Sequence, residues 1–278
     1  MKINLWGVRG SIPTTGPDTS FYGGQTSCTL VSEGDTSIVL DAGSGIQRFN
    51  GIDITDLKRV DVLLTHLHMD HIQGLGFFKP FFVPGLEVHI WGPASTTHNL
   101  RSRLGRYLSP PLFPVLLRDL PCKLKLHEIG NSEFTIGNFK IKSEYVIHPG
   151  PTLGFRLQGQ NSSFTYIPDH EPALGRNGMI PDAKWISGFN IASSADILYH
   201  DGQYSVEEYN SKKGWGHSSL DDVMLFAASA KVKRLLIAHH DPSHSDSQLG
   251  KMFAAIKRNN TYKFSFEMAK EGMELDLP

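Results

Sequence analysis

The chain has 278 residues, of which 40% are hydrophobic and 20% charged, and its formal net charge is −1. This balance is typical of a globular protein and excludes a disordered composition. A charge so close to zero provides no general attraction for nucleic acid or for an anionic membrane. No segment is long enough or polar enough to act as a linker, so we expect one domain over residues 1–278.

The two cysteines, Cys28 and Cys122, lie far apart and match no metal-binding or redox spacing. We predict that both are packed thiols in a reducing compartment. The N-terminus lacks the apolar core of a secretion signal, and no apolar run approaches the length of a membrane span. These features predict a cytoplasmic protein without a membrane partner.

The first third of the chain is rich in short runs typical of strands. They are KINLWGV, SCTLVSEG and TSIVLDAG, and Glu33-Gly34-Asp35 has the composition of a hairpin turn between the last two. The apolar run from Val60 to Leu64 predicts a buried strand that leads into a tight, histidine-rich loop. A strand at EVHIWGP and a helix near residues 95–108 follow, and we expect its arginines to form a solvated face: Arg101, Arg103 and Arg106.

The rest of the chain divides into a strand-rich part and an alternating part. The runs KLKLHEI, NFKIKSEYVI, TLGFRLQ and SSFTYIPD predict strands. After them, strands at DILYHD, RLLIAHHD and YKFSFEM alternate with helices at SVEEYNSKK, SSLDDVMLFAASAKV and SQLGKMFAAIKR. Such alternation indicates an α/β fold.

Three histidines and an aspartate crowd into the segment THLHMDHIQG, directly after a predicted strand. They are His66, His68, Asp70 and His71. Imidazole nitrogens and carboxylate oxygens are the ligands that zinc and similar divalent ions take. A hydrated loop that is rich in histidine by chance is the alternative, but the residue types, their spacing and their position at a strand end favour a metal site.

A later strand also leads into histidines. RVDVLLTHLHMDH and KVKRLLIAHHDPSH superpose so that His66 matches His239, and two such halves facing each other would bring both clusters to one edge. Adjacent residues at a strand end point to opposite faces, so only one of His239 and His240 easily reaches a metal. The superposition favours His239, and we expect His240 to hydrogen-bond Asp241.

Five motifs, in this order, resemble the metallo-β-lactamase fold superfamily: LDAGSG, THLHMDH, EYVIHPGP, TYIPDHEP and LLIAHHDP. HPGPTLGF and GWGHSS are most similar to its phosphodiesterase branch, which contains RNase Z. The resemblance implies a four-layer αβ/βα sandwich with a dinuclear site at the shared edge of two sheets. It also implies two divalent ions, zinc or alternatively manganese or iron. His66, His68 and His148 would hold one ion, and Asp70, His71 and His239 would hold the other. Asp169 would bridge the two ions, and Asp70 would also take part in catalysis.

The segment GWGHSSLDDVMLFAASA favours phosphate chemistry. Ser219 and Asp222 resemble a capping box, so His217 is expected just before a helix N-terminus, where backbone N–H groups favour an anion. The resemblance implies that His217 acts on the scissile phosphate or leaving oxygen and that Asp201 orients it. A histidine packed between helix and strand is the alternative. We expect Asp41 to hydrogen-bond the histidine loop, with a turn-stabilising role as its alternative.

The interval between His148 and Asp169 favours a small substrate. RNase Z enzymes of the usual type carry a long arm for tRNA there, whereas this interval predicts only a strand pair. A cyclic nucleotide would need the metals, an anion pocket and an apolar wall. Four phenylalanines are expected to form that wall, and their burial in the core is the alternative: Phe77, Phe78, Phe81 and Phe82. Arg9 is expected either to reach a phosphate or to form a surface salt bridge, and His170 either to face substrate or to be structural.

These observations predict a metal-dependent phosphodiesterase that hydrolyses a small phosphodiester, a 3′,5′-cyclic nucleotide first of all. The alternatives are a nuclease for short single-stranded RNA or DNA, a lactonase or thioesterase on the same fold, and a binding module with structural metals. We expect no stable nucleic-acid partner, and a homodimer is possible on this fold. The remaining histidines show no ligand spacing: His89, His98, His127 and His244.

Overall fold

The computed structural model describes residues 1–172, 174, 182–258 and 261–278. These residues form two seven-stranded sheets. The first sheet has the strand order β14-β1-β2-β3-β4-β5-β6. Its strands are β1 (Lys2–Gly7), β2 (Cys28–Glu33), β3 (Thr36–Leu40), β4 (Arg59–Leu63), β5 (Glu87–Pro93), β6 (Lys123–Ile129) and β14 (Glu274–Asp276).

The second sheet has the strand order β13-β12-β11-β10-β9-β8-β7. Its strands are β7 (Ser132–Ile136), β8 (Phe139–Tyr145), β9 (Leu153–Gln158), β10 (Ser163–Ile167), β11 (Ile197–Asp201), β12 (Arg234–Ala238) and β13 (Ser265–Met268). The α-helices of the described residues are α1 (Met69–Ile72), α2 (Leu100–Tyr107), α3 (Phe189–Ala192), α4 (Val206–Lys212), α5 (Leu220–Ser229) and α6 (Asp246–Arg258).

Three apolar clusters divide the molecule into four layers. The central cluster joins the inner faces of the two sheets, with Leu5 and Leu63 from the first and Phe155 and Leu236 from the second. A second cluster covers the outer face of the first sheet and includes the buried side of α2. A third packs α3, α5 and α6 on the outer face of the second sheet. The four-layer αβ/βα sandwich is therefore confirmed.

Most predicted elements are present, and the differences have local causes. The helix predicted near residues 95–108 begins only at Leu100, because the Asn99 side chain accepts a hydrogen bond from the Ser102 N–H at 2.8 Å and caps the helix. The strands β7 and β14 were not predicted. Both are short, and β14 completes the first sheet only through its pairing with β1 from the other end of the chain.

The parallel strands of both sheets deliver their carboxyl ends to one edge. Strands β3 to β6 are parallel in the first sheet, and β10 to β13 are parallel in the second. The residues that follow β4 and β12 meet there, with His239 Nε2 lying 3.2 Å from Asp70 Oδ2. The predicted convergence of the two histidine motifs is thus confirmed.

Two smaller expectations can be compared with the structure directly. Cys28 and Cys122 are buried free thiols, as predicted. None of the helices in the described residues combines the length and the apolar character that crossing a membrane requires.

Candidate metal centre

The histidine-rich segment after β4 is a single helical turn, not the tight loop that its glycine-flanked sequence predicts. His68 stands at the N-cap of α1, and its carbonyl accepts a hydrogen bond from the His71 N–H at 3.0 Å. This turn buries Asp70 and His71 while His68 stays exposed. A short helix therefore separates the side chains of one motif into two groups.

The first group consists of His66, His68 and His148, whose ring nitrogens lie within 4.8 Å of one another. His148 Nε2 is 3.1 Å from His68 Nδ1. The Nδ1 of His148 donates a hydrogen bond to the Gly216 carbonyl at 2.8 Å, which leaves Nε2 free to face the group. Three imidazoles that converge in this way match half of a dinuclear site.

The second group consists of Asp70, His71, Asp169 and His239, with one ligand atom of each within 4.8 Å of the others. His71 Nε2 lies 3.3 Å from Asp70 Oδ2 and 3.0 Å from Asp169 Oδ2. His239 Nε2 lies 3.2 Å from Asp70 Oδ2. All four residues are buried.

Asp169 is the member of the second group that faces the first group. Its Oδ1 is 4.0 Å from His66 Nε2 and 3.8 Å from His148 Nε2 on one side. On the other side, Oδ1 is 3.3 Å from His239 Nε2, and Oδ2 is the oxygen that approaches His71. A carboxylate in this position can offer one oxygen to each of two ions.

The donor set fits divalent metal ions. Imidazole and carboxylate together are typical ligands of zinc, iron and manganese sites. His66 Nε2 is buried and has no hydrogen-bond partner among the described residues, which is costly unless something else satisfies it. The structure brings all seven predicted ligands together, and their role as ligands remains a prediction.

The two groups differ in how their surroundings act on the histidine pKa values. Burial lowers the pKa of His66 well below its usual range and lowers the pKa of His148 to about 4. These rings are therefore neutral, which is the form that binds metals. At His239 burial acts in the same direction, but the carboxylates of Asp169 and Asp70 outweigh it and raise the pKa to about 9. The same two carboxylates would favour a divalent cation in place of the imidazole proton.

Asp41 has the supporting position that its sequence context predicts. Its Oδ2 accepts a hydrogen bond from His71 Nδ1 at 2.8 Å, and its Oδ1 accepts one from the Thr65 N–H at 2.7 Å. The first contact directs the other nitrogen of His71 toward Asp70 and Asp169. The second fixes the backbone that follows β4, directly before His66.

His217 and Asp201 form a hydrogen-bonded pair at the edge of both groups. His217 Nδ1 lies 2.7 Å from Asp201 Oδ2 and 3.8 Å from Asp169 Oδ1. The His217 ring stacks on that of His239 at a centroid distance of 5.0 Å. Ser219 is the N-cap of α5, as predicted, so His217 precedes the helix by the expected interval. His217 therefore lies beside both groups, and its role there stays a prediction.

Glu171 is a supporting residue that the sequence reasoning missed. Its buried carboxylate accepts hydrogen bonds from the N–H groups of Gly214 and Gly216 at 2.8 and 2.7 Å and from the Tyr209 hydroxyl at 2.9 Å. Gly216 has a φ of +92°, and a Cβ there would lie 2.4 Å from His148 Nδ1. Glu171 therefore holds the turn that contacts His148 and carries His217. Its position two residues after Asp169 was the available signal.

A second missed contribution comes from the loop after β1. A Cβ on Gly10 would lie 2.4 Å from the His239 ring, so only glycine allows this approach. The Ser11 N–H donates to Asp70 Oδ2 at 2.7 Å. His239 itself has a φ of +58°, a strained conformation that the packing around it maintains. The loop at Gly10 and Ser11 thus closes on the second group.

Arg9 and His240 do not have their predicted contacts. Arg9 is fully buried, and its guanidinium donates to the carbonyls of Gly23 and His244 at 2.7 and 2.8 Å. Its Nη2 also lies 3.8 Å from Asp246 Oδ1, so Arg9 forms an ion pair, but its guanidinium is buried and not at the surface. His240 Nε2 donates to the Ala269 carbonyl at 2.9 Å and not to Asp241. Both side chains face the packed interior behind the site.

The phenylalanine run does not form a wall for substrate. Phe78 and Phe81 are buried in the core of the outer layer, because the run folds into successive helical turns that point alternate rings inward. Phe77 and Phe82 are exposed, and neither lines the cavity beside His66 and His68. His170 is fully buried and contacts His200 at 2.9 Å, so of its two predicted roles the structural one is confirmed.

Comparison with known proteins gives consistent results. The ribonuclease Z of Gemmatimonas aurantiaca is 24% identical, and the match covers 91% of this chain and 90% of that protein. The metallo-beta-lactamase fold protein YhfI from Bacillus subtilis has a TM-score of 0.71 at 20% identity over 99% of both chains. The human tRNase Z short form, at 18% identity, and Zn²⁺-bound PqqB from Methylobacterium extorquens, at 16%, each have a TM-score of 0.68 and are covered completely, as is this chain.

The family model described as the beta-lactamase superfamily domain matches residues 36–240. This match spans the interval from β3 through the predicted ligand His239. The chain therefore belongs to the metallo-β-lactamase superfamily.

Proposed function

We propose that this metal-dependent hydrolase is a phosphodiesterase for a small phosphodiester, with 3′,5′-cyclic nucleotides as the first candidates. The observation that carries the proposal is the His217–Asp201 pair at 2.7 Å, placed against both ligand groups. A histidine held in this position can serve as a general acid for a leaving oxygen. A phosphodiester with a poor leaving alcohol does need one.

Two divalent ions would be held by the two groups, one by His66, His68 and His148 and the other by Asp70, His71 and His239, with Asp169 shared. When bound, such ions stabilise charge on phosphoryl oxygens and make water a competent nucleophile at neutral pH. Zinc is our first choice of metal, and manganese or iron would suit the same donors.

The remaining chemistry belongs to the chain. Hydrolysis forms a bond from the water oxygen to phosphorus and breaks the bond from phosphorus to the leaving oxygen, which then needs a proton. His217 would donate that proton from Nε2, because its Nδ1–H is engaged by Asp201. Asp70 would act as a ligand whose Oδ2 is fixed by the Ser11 N–H. The attacking water releases one proton to solvent, His217 regains one from solvent, and the second proton of the water stays on the phosphate product or ionises from it.

The interval between His148 and Asp169 supports a small substrate. It contains only the antiparallel strands β9 and β10 and the turn that joins them. No arm that could reach a distant part of a folded RNA occurs in that interval, all of which is described. The inter-sheet core also supports our expectation that residues 1–278 act as one domain.

A nuclease for RNA is the second candidate, because the relatives that match about nine-tenths of the chain are named ribonuclease Z. In that case a nucleic-acid partner would replace the small diester. A homodimer is compatible with either function.

The test is a panel of substrates with the Zn²⁺- or Mn²⁺-loaded protein. It contains cyclic nucleotides, p-nitrophenyl phosphodiesters, lactones and a precursor tRNA. We expect turnover of small diesters and poor tRNA processing. Efficient tRNA cleavage without cyclic-nucleotide turnover would favour the nuclease, and lactone turnover alone would contradict both.

A further inference from the structure

A cavity of about 400 Å³ opens beside the first ligand group, between α2 and the segment at residues 149–151. His66 and His68 form one end of it, whereas Asp169 and His217 do not line it. Its wall is mainly apolar and comes from Leu67, Met69, Ile72, Tyr107, Leu112 and the two prolines of the segment Pro149–Pro151. The cavity is therefore placed to hold a substituent of the substrate and not the reacting phosphate.

Two arginines of α2 line the same cavity. Arg103 and Arg106 are three residues apart and so lie on one face of the helix. The Arg103 side chain is only 13% exposed, and its Nε is buried without a hydrogen-bond partner among the described residues. Arg103 Nη2 donates to the Pro93 carbonyl and contacts Glu128 at 3.3 Å, which fixes the guanidinium in place. The expected solvated face is thus wrong for Arg103.

Arg106 is the less committed of the two. It is exposed, and its Nη2 lies 3.2 Å from His98 Nε2. Within the described part of the chain it has no carboxylate at ion-pair distance, and no aspartate or glutamate lines the cavity. Arg103 is paired with Glu128, whereas Arg106 has no acidic partner among the described residues. An apolar wall beside such an arginine suits a ligand that has an apolar body and an anionic group. Guanidinium groups pair with phosphate through two parallel hydrogen bonds.

We propose that this cavity binds the part of the diester substrate that carries a second phosphate. The inference rests on the phosphodiesterase function proposed above and ranks diesters with two phosphate groups ahead of the cyclic mononucleotides named there. The scissile phosphate would lie at the ligand groups, the apolar part of the substituent along the cavity wall, and the second phosphate at Arg103 and Arg106. A mononucleotide cyclic diester, which has one phosphate, would leave Arg106 without an anionic partner.

The test compares two dinucleotides, ApA and the same compound with a 5′-phosphate, pApA. With the metal-loaded protein, kcat/KM should be about tenfold higher for pApA, which is the value of one charge-assisted hydrogen bond. Arg106→Gln should bring the ratio close to one, and Arg106→Glu should invert it. Arg101→Gln is the matched control, because Arg101 is exposed on the same helix and does not line the cavity. That variant should keep the tenfold ratio.

The outcomes separate this inference from the proposed function. If the wild-type protein hydrolyses both dinucleotides equally, or if Arg106→Gln keeps the preference, the second-phosphate site is overturned while the phosphodiesterase stands. If neither dinucleotide is hydrolysed, calorimetry still measures the affinity of the protein for each of them. The ratio of these affinities then shows whether the cavity binds the second phosphate. Equal affinities in wild type would overturn it there as well.

Discussion

The carboxylate of Asp41 lies 2.8 Å from Nδ1 of His71, on the side of the ring opposite Asp70 and Asp169. Asp41 itself has a φ of +57°, a conformation that aspartate and asparagine tolerate better than most residues. The contact holds His71 in one tautomer and one orientation without approaching the reacting groups. The residue at the end of β3 thus determines how a residue of α1 faces the site.

Asp41→Asn should weaken metal binding while the fold is kept. Asparagine can still accept from the Thr65 N–H, but its NH₂ group would face the Nδ1–H of His71. Loss of such a supporting carboxylate typically costs about 10–100-fold in metal affinity or activity. A competition titration with a zinc chelator measures the affinity, and circular dichroism checks the fold. Asp35→Asn, in the exposed β2–β3 turn, serves as control.

His217→Ala should lower kcat for diesters while metal content remains intact. A positioned general acid contributes about 10²–10⁴-fold, so the loss should be large. Diesters with a very acidic leaving alcohol need little protonation and should be affected less. Metal analysis beside kcat/KM separates this role from ligation. Full diesterase activity in the variant would remove the main support for phosphate chemistry and favour a lactonase or thioesterase.

Asp201→Asn should produce a similar but smaller loss, because Asp201 orients the His217 ring through the contact at Nδ1. The double variant, Asp201→Asn with His217→Ala, should cost far less than the product of the two single losses, as for residues that act as a unit. If the loss of activity in the double variant equals the product of the two single losses, the 2.7 Å contact has no functional role.

Glu171→Gln should impair the site through the turn at Gly214 and Gly216. The glutamine NH₂ group would replace one acceptor oxygen in front of backbone N–H groups, a loss of about 1–3 kcal/mol for a buried group. We expect lower kcat and weaker metal binding with a smaller change in KM. Tyr209→Phe is the matched control, since it removes only the hydroxyl contact to the same carboxylate. Equal effects of both variants on thermal stability alone would indicate a purely structural role.

Asp196 gives a pH-dependent prediction away from the site. Burial alone would raise the pKa of Asp196, but hydrogen bonds from Lys233 and Ser163 lower the pKa below its ordinary value. A carboxylate whose pKa is lower in the folded state than in the unfolded state stabilises the fold at pH values above its unfolded-state pKa. This stabilisation is lost as the pH falls through the folded-state pKa. Asp196→Asn should therefore lower Tm by about 2–4 °C at pH 7.

The gap in Tm between wild type and Asp196→Asn should narrow as the pH falls below about 4. Thermal unfolding followed by circular dichroism from pH 7 to pH 3 measures it. Glu274→Gln, an exposed position on β14, should show no such trend. A difference in Tm that grows as the pH falls would contradict a lowered pKa of Asp196 in the folded state.

The architecture was largely predictable, because apolar runs and turn residues report local structure. The β2–β3 hairpin at Gly34 and the cap of α5 at Ser219 follow directly from their sequences. Strand β14 did not, since three residues carry little periodicity and their partner β1 lies at the other end of the chain. Long-range pairing of a short segment leaves no local signal.

The convergence of the seven proposed ligands was predictable, because several histidines and an aspartate directly after a strand are an uncommon and specific pattern. The residues that support and surround these side chains were not predictable. Glu171 acts through backbone groups of Gly214 and Gly216, so no side-chain pattern reveals the contact. The burial of Arg9 and the inward face of Arg103 depend on which surfaces the chain brings against them. Sequence gives the charge of an arginine but not the surface it faces.

The central claim is that two divalent ions share Asp169, and a metal titration tests it most directly. Elemental analysis after saturation with Zn²⁺ or Mn²⁺ should give two ions per chain for the wild type, because six terminal ligands and a bridge exceed what one tetrahedral ion uses. In Asp169→Ala both sites should weaken together. One ion per chain at saturation, with no more recruited by added metal, would contradict the account.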